Sequence, residues 1–157
     1  MRLTTMAALL LTISAAAAGA QSPAGSPVAS PADVKWGPAP AVFPPGAQMA
    51  VLQGDPGSAA PFTVRLRFPD GYTIAPHTHP TDEYLTVISG TFRVGMGTTV
   101  DAKGMLTLGT GGFATAPANH AHYAAARGVT IVQINSMGPF AMTYVNPTDT
   151  PRPDGSR

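Results

Sequence analysis

The four histidines of this 157-residue chain fall in two His-x-His pairs, His77/His79 and His120/His122, and its only glutamate, Glu83, lies beside the first pair. Imidazole and carboxylate groups together suit divalent first-row metals. On an extended strand, residues two apart point to the same side, so His77 and His79 can present both rings to one point. Pro80 ends that strand because it brings no N–H to the ladder. The chain then turns through Thr81 and Asp82, and Glu83 opens the next strand, where antiparallel pairing can bring its carboxylate toward the same point. The second pair follows a turn at Pro117-Ala118-Asn119 and offers a third imidazole, leaving room on a metal for water or substrate. By alternation alone, either His120 or His122 can supply it. A lone His-x-His is common and usually inert. All five residues in two compact groups, each bounded by Gly and Pro turns, point to a metal site.

Short strands must carry these groups. Phe62-Thr-Val-Arg-Leu-Arg-Phe68 alternates cleanly, with Phe62, Val64, Leu66 and Phe68 on one face, which predicts a half-buried strand. Further strands are predicted at Tyr72–Ala75, Glu83–Ser89, Thr91–Met96, Met105–Leu108, Phe113–Ala116, Val129–Asn135 and Phe140–Val145. They are separated by Pro69-Asp70-Gly71, Ser89-Gly90, Ala102-Lys103-Gly104, Gly109-Thr110-Gly111-Gly112, Arg127-Gly128 and Gly138-Pro139. This spacing indicates an all-β sandwich or barrel. With 17 Gly and 17 Pro the chain is poorly suited to long helices, coiled coils or helical arrays. At 44% hydrophobic and 11% charged residues it is not a disordered chain. Nine basic residues, scattered against eight acidic ones, leave no nucleic-acid footprint.

Residues 1–20 have Arg2 near the start, an apolar run from Met6 to Ala18, and the small triplet Ala18-Gly19-Ala20. That order predicts a secretory signal cleaved before Gln21 and a periplasmic or secreted protein. The run of 13 residues falls short of the roughly 20 needed to cross a bilayer, so no membrane association is expected after cleavage. With no Cys there is no disulfide, so stability must come from a packed core, sheet closure, oligomerisation or a metal. Residues 21–45 contain seven prolines and read as a tether and N-terminal arm, whose later part, with Trp36 and Phe43, lies against the domain. The barrel domain is expected at 46–147 and a C-terminal tail at 148–157.

The first cluster resembles the first cupin motif at every defined position: Gly71, five residues, His77-x-His79, three residues, Glu83, six residues, Gly90. The second resembles the second cupin motif: Gly111, five residues, Pro117-x-Asn119, two residues, His122. Asn119 stands where the family usually has Gly, and Asn is the non-glycine residue best able to take positive φ. Ala126 stands where an Asn often follows. The resemblance implies a cupin-type jelly-roll β-barrel with one divalent transition metal (Mn, Fe, Ni, Cu or Zn) held by His77, His79, Glu83 and His122. It also implies a homodimer paired through the sheets. His120 is then left over, as a rim residue or as a catalytic acid or base.

One cupin fold serves many reactions. Oxalate decarboxylase-like chemistry normally uses a second glutamate, which is absent here, and a cysteine-linked cofactor has no Cys to form it. Sugar-processing cupins combine His with Lys and Arg, and the basic residues here fall in loops or opposite the apolar face. Tyr72, Tyr84, Tyr123, Phe92, Met96 and Met142 are expected near the metal, either as barrel core or as a pocket for a small, largely neutral or aromatic molecule. Two functions follow as expectations. One is a dioxygenase-like oxidoreductase acting on a small organic molecule, with His120 or a Tyr as acid or base. The other is a non-catalytic cupin that senses, carries or stores a small molecule or metal.

Overall fold

The alternation from Phe62 to Phe68 sets the inside of the fold: Phe62, Val64, Leu66 and Phe68 are all buried, while Arg65 and Arg67 face outward. The computed structural model describes residues 30–152; the expected signal at 1–20 lies outside the described residues. Among the described residues nine strands form one curled antiparallel sheet: β1 (Gly37–Pro38), β2 (Gln48–Gln53), β3 (Pro61–Phe68), β4 (Thr73–Thr78), β5 (Glu83–Met96), β6 (Leu106–Leu108), β7 (Phe113–Ala116), β8 (His122–Met137) and β9 (Thr143–Tyr144). The order β1-β2-β3-β8-β4-β9 is joined by β5, which pairs β6, β7 and β8. The fold is all-β, a jelly roll, as expected. The only helical pieces among the described residues are 3-10 turns at Pro31–Asp33 and Pro147–Asp149.

Two long strands depart from the sequence reading. Ser89-Gly90 was expected to separate two strands, and Arg127-Gly128 to precede one. Instead β5 runs unbroken for 14 residues and β8 for 16. The pair stays in antiparallel register through irregularities at Val87/Ser89 and Ser89/Thr91, so the turn-like residues bend the sheet without ending it. Gly90 has φ 84°, and a Cβ there would meet Val129 O at 2.5 Å. Thr130, wholly buried, ties this corner together by donating to the carbonyl of Thr91 at 3.0 Å. The bend lets β8 pair β3 through Thr130–Met137 and β4 through His122–Ala125. The expected strand at Phe140–Val145 shrinks to Thr143–Tyr144, and β2 was not anticipated.

The arm lies on the domain. Gly37–Pro38 pairs with β2 at the sheet edge, where proline is tolerated. Beyond it, the Tyr144 hydroxyl donates to Val42 O at 2.9 Å and the Tyr72 hydroxyl to Pro44 O at 2.5 Å.

Candidate metal centre and its cavity

His77 is carried on β4, His79 stands one residue past its end, Glu83 opens β5 and His122 opens β8. Register brings the two motifs together: His122 is the partner of His77 across β4 and β8, and Met96 of β5 pairs it on the other side. The turn that leads into β8 hangs from the first motif. Asn119 N–H donates to the carbonyl of His79 at 2.7 Å, and Ala118 N–H to the Asp82 carboxylate at 2.8 Å. Asn119 has φ 61°, so it does take the positive φ expected of it.

The three rings converge. Their centroids are 4.9 Å apart for His77/His79, 4.2 Å for His77/His122 and 5.1 Å for His79/His122. One ligand nitrogen from each lies within 4.8 Å of the others. Glu83 Oε2 is 3.3 Å from Nε2 of both His79 and His122. All four residues are buried.

Each ring is oriented by a backbone carbonyl: His77 Nδ1 by Ala75 O at 2.8 Å, His79 Nδ1 by Ala141 O at 2.7 Å, and His122 Nδ1 by His120 O at 3.1 Å. A carbonyl only accepts, so Nδ1 carries the proton in every ring. In the neutral tautomer each Nε2 then presents a lone pair. His122 Nε2 is buried and has no hydrogen-bond partner; the Glu83 oxygen is near it but not placed to form one. Three oriented imidazole lone pairs, an orphaned buried nitrogen and a carboxylate fit a divalent transition metal.

Electrostatics agree. Burial, reinforced by the neighbouring His122, pushes the His77 pKa down to about 3, so that ring stays neutral and available as a ligand. Burial alone would raise the Glu83 pKa, but its contacts with His122 and His79 outweigh that and hold it below the ordinary carboxylate range. Burial would lower the His122 pKa, and the Glu83 carboxylate reverses this, leaving it raised.

The cluster lines a cavity of about 900 Å³, whose walls are otherwise the inward faces of the strands, including Phe62, Leu66, Phe92 and Ile134. Of the residues expected around it, Phe92, Met96 and Met142 line it and the three tyrosines do not. Tyr72 turns to Pro44 O, Tyr84 is exposed and donates to Asp82, and the Tyr123 hydroxyl accepts from Asp101 N–H at 2.9 Å. Alternation explains Tyr84, which must face away from Glu83 and Leu85. His120 is exposed and outside the lining; β8 starts only at His122, so the two do not share a strand face. Its contribution is the carbonyl that orients His122. Two residues not singled out in the sequence also serve the site. Phe140 stacks on His79 with centroids 4.3 Å apart, and Ala141 supplies a carbonyl. Only their sequence position after the Gly138-Pro139 turn hinted at either.

Residues 64–136, which span both motifs, match the cupin domain family. This is a cupin domain. Solved cupin-fold structures resemble it at low identity. A proposed acetylacetone dioxygenase from Methylibium petroleiphilum PM1 superposes with a TM-score of 0.62 at 23% identity, covering 85% of this chain and 90% of that one. The polyketide cyclase RemF from Streptomyces resistomycificus gives 0.62 at 14%, covering 76% and 84%. The DMSP lyase DddQ from Ruegeria pomeroyi DSS-3 gives 0.58 at 19%, covering 74% and 63%. No curated protein matches the chain. At these identities the likeness of this cupin to the three is one of fold.

Proposed function

We propose that this cupin is exported and binds one divalent transition metal per chain through His77, His79, His122 and Glu83, oxidising a small organic molecule in a dioxygenase-like reaction. The observation that carries the reading is the set of three Nδ1–H···O=C contacts, which turn three Nε2 lone pairs toward one point in an apolar cavity. A metal bound there would supply Lewis-acid and redox chemistry to a small substrate. The chain's own residues hold the tautomers, offset the cation's charge through Glu83 and keep water off the site through the aliphatic walls. Manganese, iron, nickel, copper and zinc all suit this donor set. A proposed dioxygenase, a polyketide cyclase and a lyase share this fold, so an oxidation is one of the chemistries it carries. In this reading the protein works as a homodimer in the periplasm or outside the cell.

One observation favours a second reading, binding without turnover. Apart from the cluster itself, the cavity lining holds no acid or base side chain among the described residues. Elemental analysis of protein purified without chelators, beside a His77→Ala/Glu83→Ala control, tests the site. About one equivalent of a redox-active metal, lost in the control, together with oxygen consumption over many turnovers, is the expected result. Stoichiometric binding without turnover supports the second reading. A chain that carries no metal and takes none up overturns the metal site.

A further inference from the structure

Among the described residues, the polar side chains that face the cavity are those of the cluster; Thr115 borders it but pairs with the outward-facing Tyr84. Away from the cluster, the wall formed by the described residues therefore offers a ligand neither an inward-facing hydroxyl nor a cation. The arginines nearest in sequence are committed elsewhere. Arg65 donates to Gln133 at 3.1 Å on the outer face of the sheet, and Arg93 donates to the carbonyl of Ala102 at 2.5 Å. A negative charge carried on a ligand's far end would lose its hydration there and gain no partner.

The entrance is apolar as well. Met96 and Leu106 both line the cavity and stand 52% and 69% exposed, so they mark where it opens; Phe113, 58% exposed, borders it from the outer face, where it pairs with Thr86. Exposed apolar residues are ordinary when scattered, but apolar side chains placed together at one mouth mark a place where apolar groups pass or dock. A third feature comes from outside the barrel. Pro40, Val42 and Phe43 of the arm form part of the wall, fastened by the hydroxyls of Tyr144 and Tyr72. Cavities of about 300–1,000 Å³ hold drug-sized ligands, and a cavity of about 900 Å³ is near the upper end. A two- or three-carbon acid would leave most of it unfilled.

We propose that the site takes an uncharged, hydrocarbon-rich molecule with a single polar head group. The head meets the histidine cluster, the hydrocarbon body fills the apolar cavity, and the arm wall at Val42 and Phe43 sets how long a body fits. This rests on the proposed metal site only for the position of the head.

The probes are 4-alkylphenols from methyl to hexyl, titrated calorimetrically into the full chain in zinc-loaded and chelator-treated forms. The affinity is expected to rise about fourfold per methylene, the increment of burying one CH₂, until the cavity is filled. A member whose chain ends in a carboxylate is expected to bind at least about tenfold more weakly than its methyl-ended counterpart. Phe43→Ala is expected to move the length at which the rise stops; the wild-type series decides the ligand class even if that variant does not fold. A flat series, or equal binding of the carboxylate-ended member, overturns the proposal. A steep series in both forms supports it whether or not the metal takes part. Zinc-dependent binding of the phenol head with no chain-length effect overturns it and leaves the metal site standing.

Discussion

His122 stands directly opposite His77 in the ladder between β4 and β8, with their rings 4.2 Å apart, although the two belong to separate motifs. Neither strand can slip without parting them, because a one-residue shift in register turns a side chain to the other face of the sheet. The donor set is therefore a property of strand pairing as much as of side-chain chemistry.

Removing a ligand is expected to abolish tight metal binding. His77→Ala and Glu83→Ala should each lower metal affinity by more than about 100-fold, since replacing groups that merely orient ligands already costs about 10–100-fold. His120→Ala keeps the carbonyl that orients His122 and should leave affinity within about threefold of wild type. Competition with a chromogenic chelator measures all three.

Asp82 connects the motifs without touching the cavity, by accepting the Ala118 N–H at 2.8 Å. Asp82→Ala should loosen the turn that delivers His122, lowering metal affinity about tenfold and stability by about 1 kcal/mol. Asp82→Asn retains an acceptor and should recover most of both. Equal metal affinity in Asp82→Ala and wild type would show that the turn holds its place without this contact.

The metal-free protein should be most stable near pH 6.5. His77 is held neutral in the fold, with its pKa near 3 against an ordinary 6.5. The unfolded chain therefore takes up a proton first, and stability falls as pH drops from 6.5 toward 3. Glu83, depressed below its ordinary 4.5, adds a loss on the same side as pH falls from 4.5 through its folded value. His122 has a raised pKa, so its contribution is complete below 6.5 and is lost as pH rises through the folded value. Thermal unfolding of chelator-treated protein across pH should trace both limbs, and His122→Gln should remove the alkaline one. Metal uptake should weaken as pH falls through the raised His122 pKa, because the proton and the metal compete for Nε2.

Two backbone positions should be intolerant for different reasons. At Gly90, φ is 84° and a Cβ would lie 2.5 Å from Val129 O. Gly90→Ala should cost about 2–4 kcal/mol, from strain and displacement of the corner together. At Asn119, with φ 61°, Asn119→Gly should be close to neutral and Asn119→Ala should cost about 1 kcal/mol. Urea denaturation separates them.

Much of this protein follows from local pattern. The alternation at Phe62–Phe68, the positive φ at Asn119 and the grouping of His77, His79, Glu83 and His122 are matters of residue type and spacing, and period two dictates which side chains share a face. Pairing partners are not encoded that way. Ser89-Gly90 and Arg127-Gly128 have the same local chemistry whether they end a strand or bend one, and only the ladder between β5 and β8 decides for bending. Tyr72 and Tyr123 have the composition of a pocket, yet their hydroxyls find partners at Pro44 and Asp101, because a buried hydroxyl goes where a hydrogen bond awaits it. His120 and His122 are equivalent by alternation alone, and the late start of β8 separates them as the motif spacing implied. The arm wall and the Ala141 carbonyl, 62 residues from His79, are long-range contacts that only the closed sheet creates.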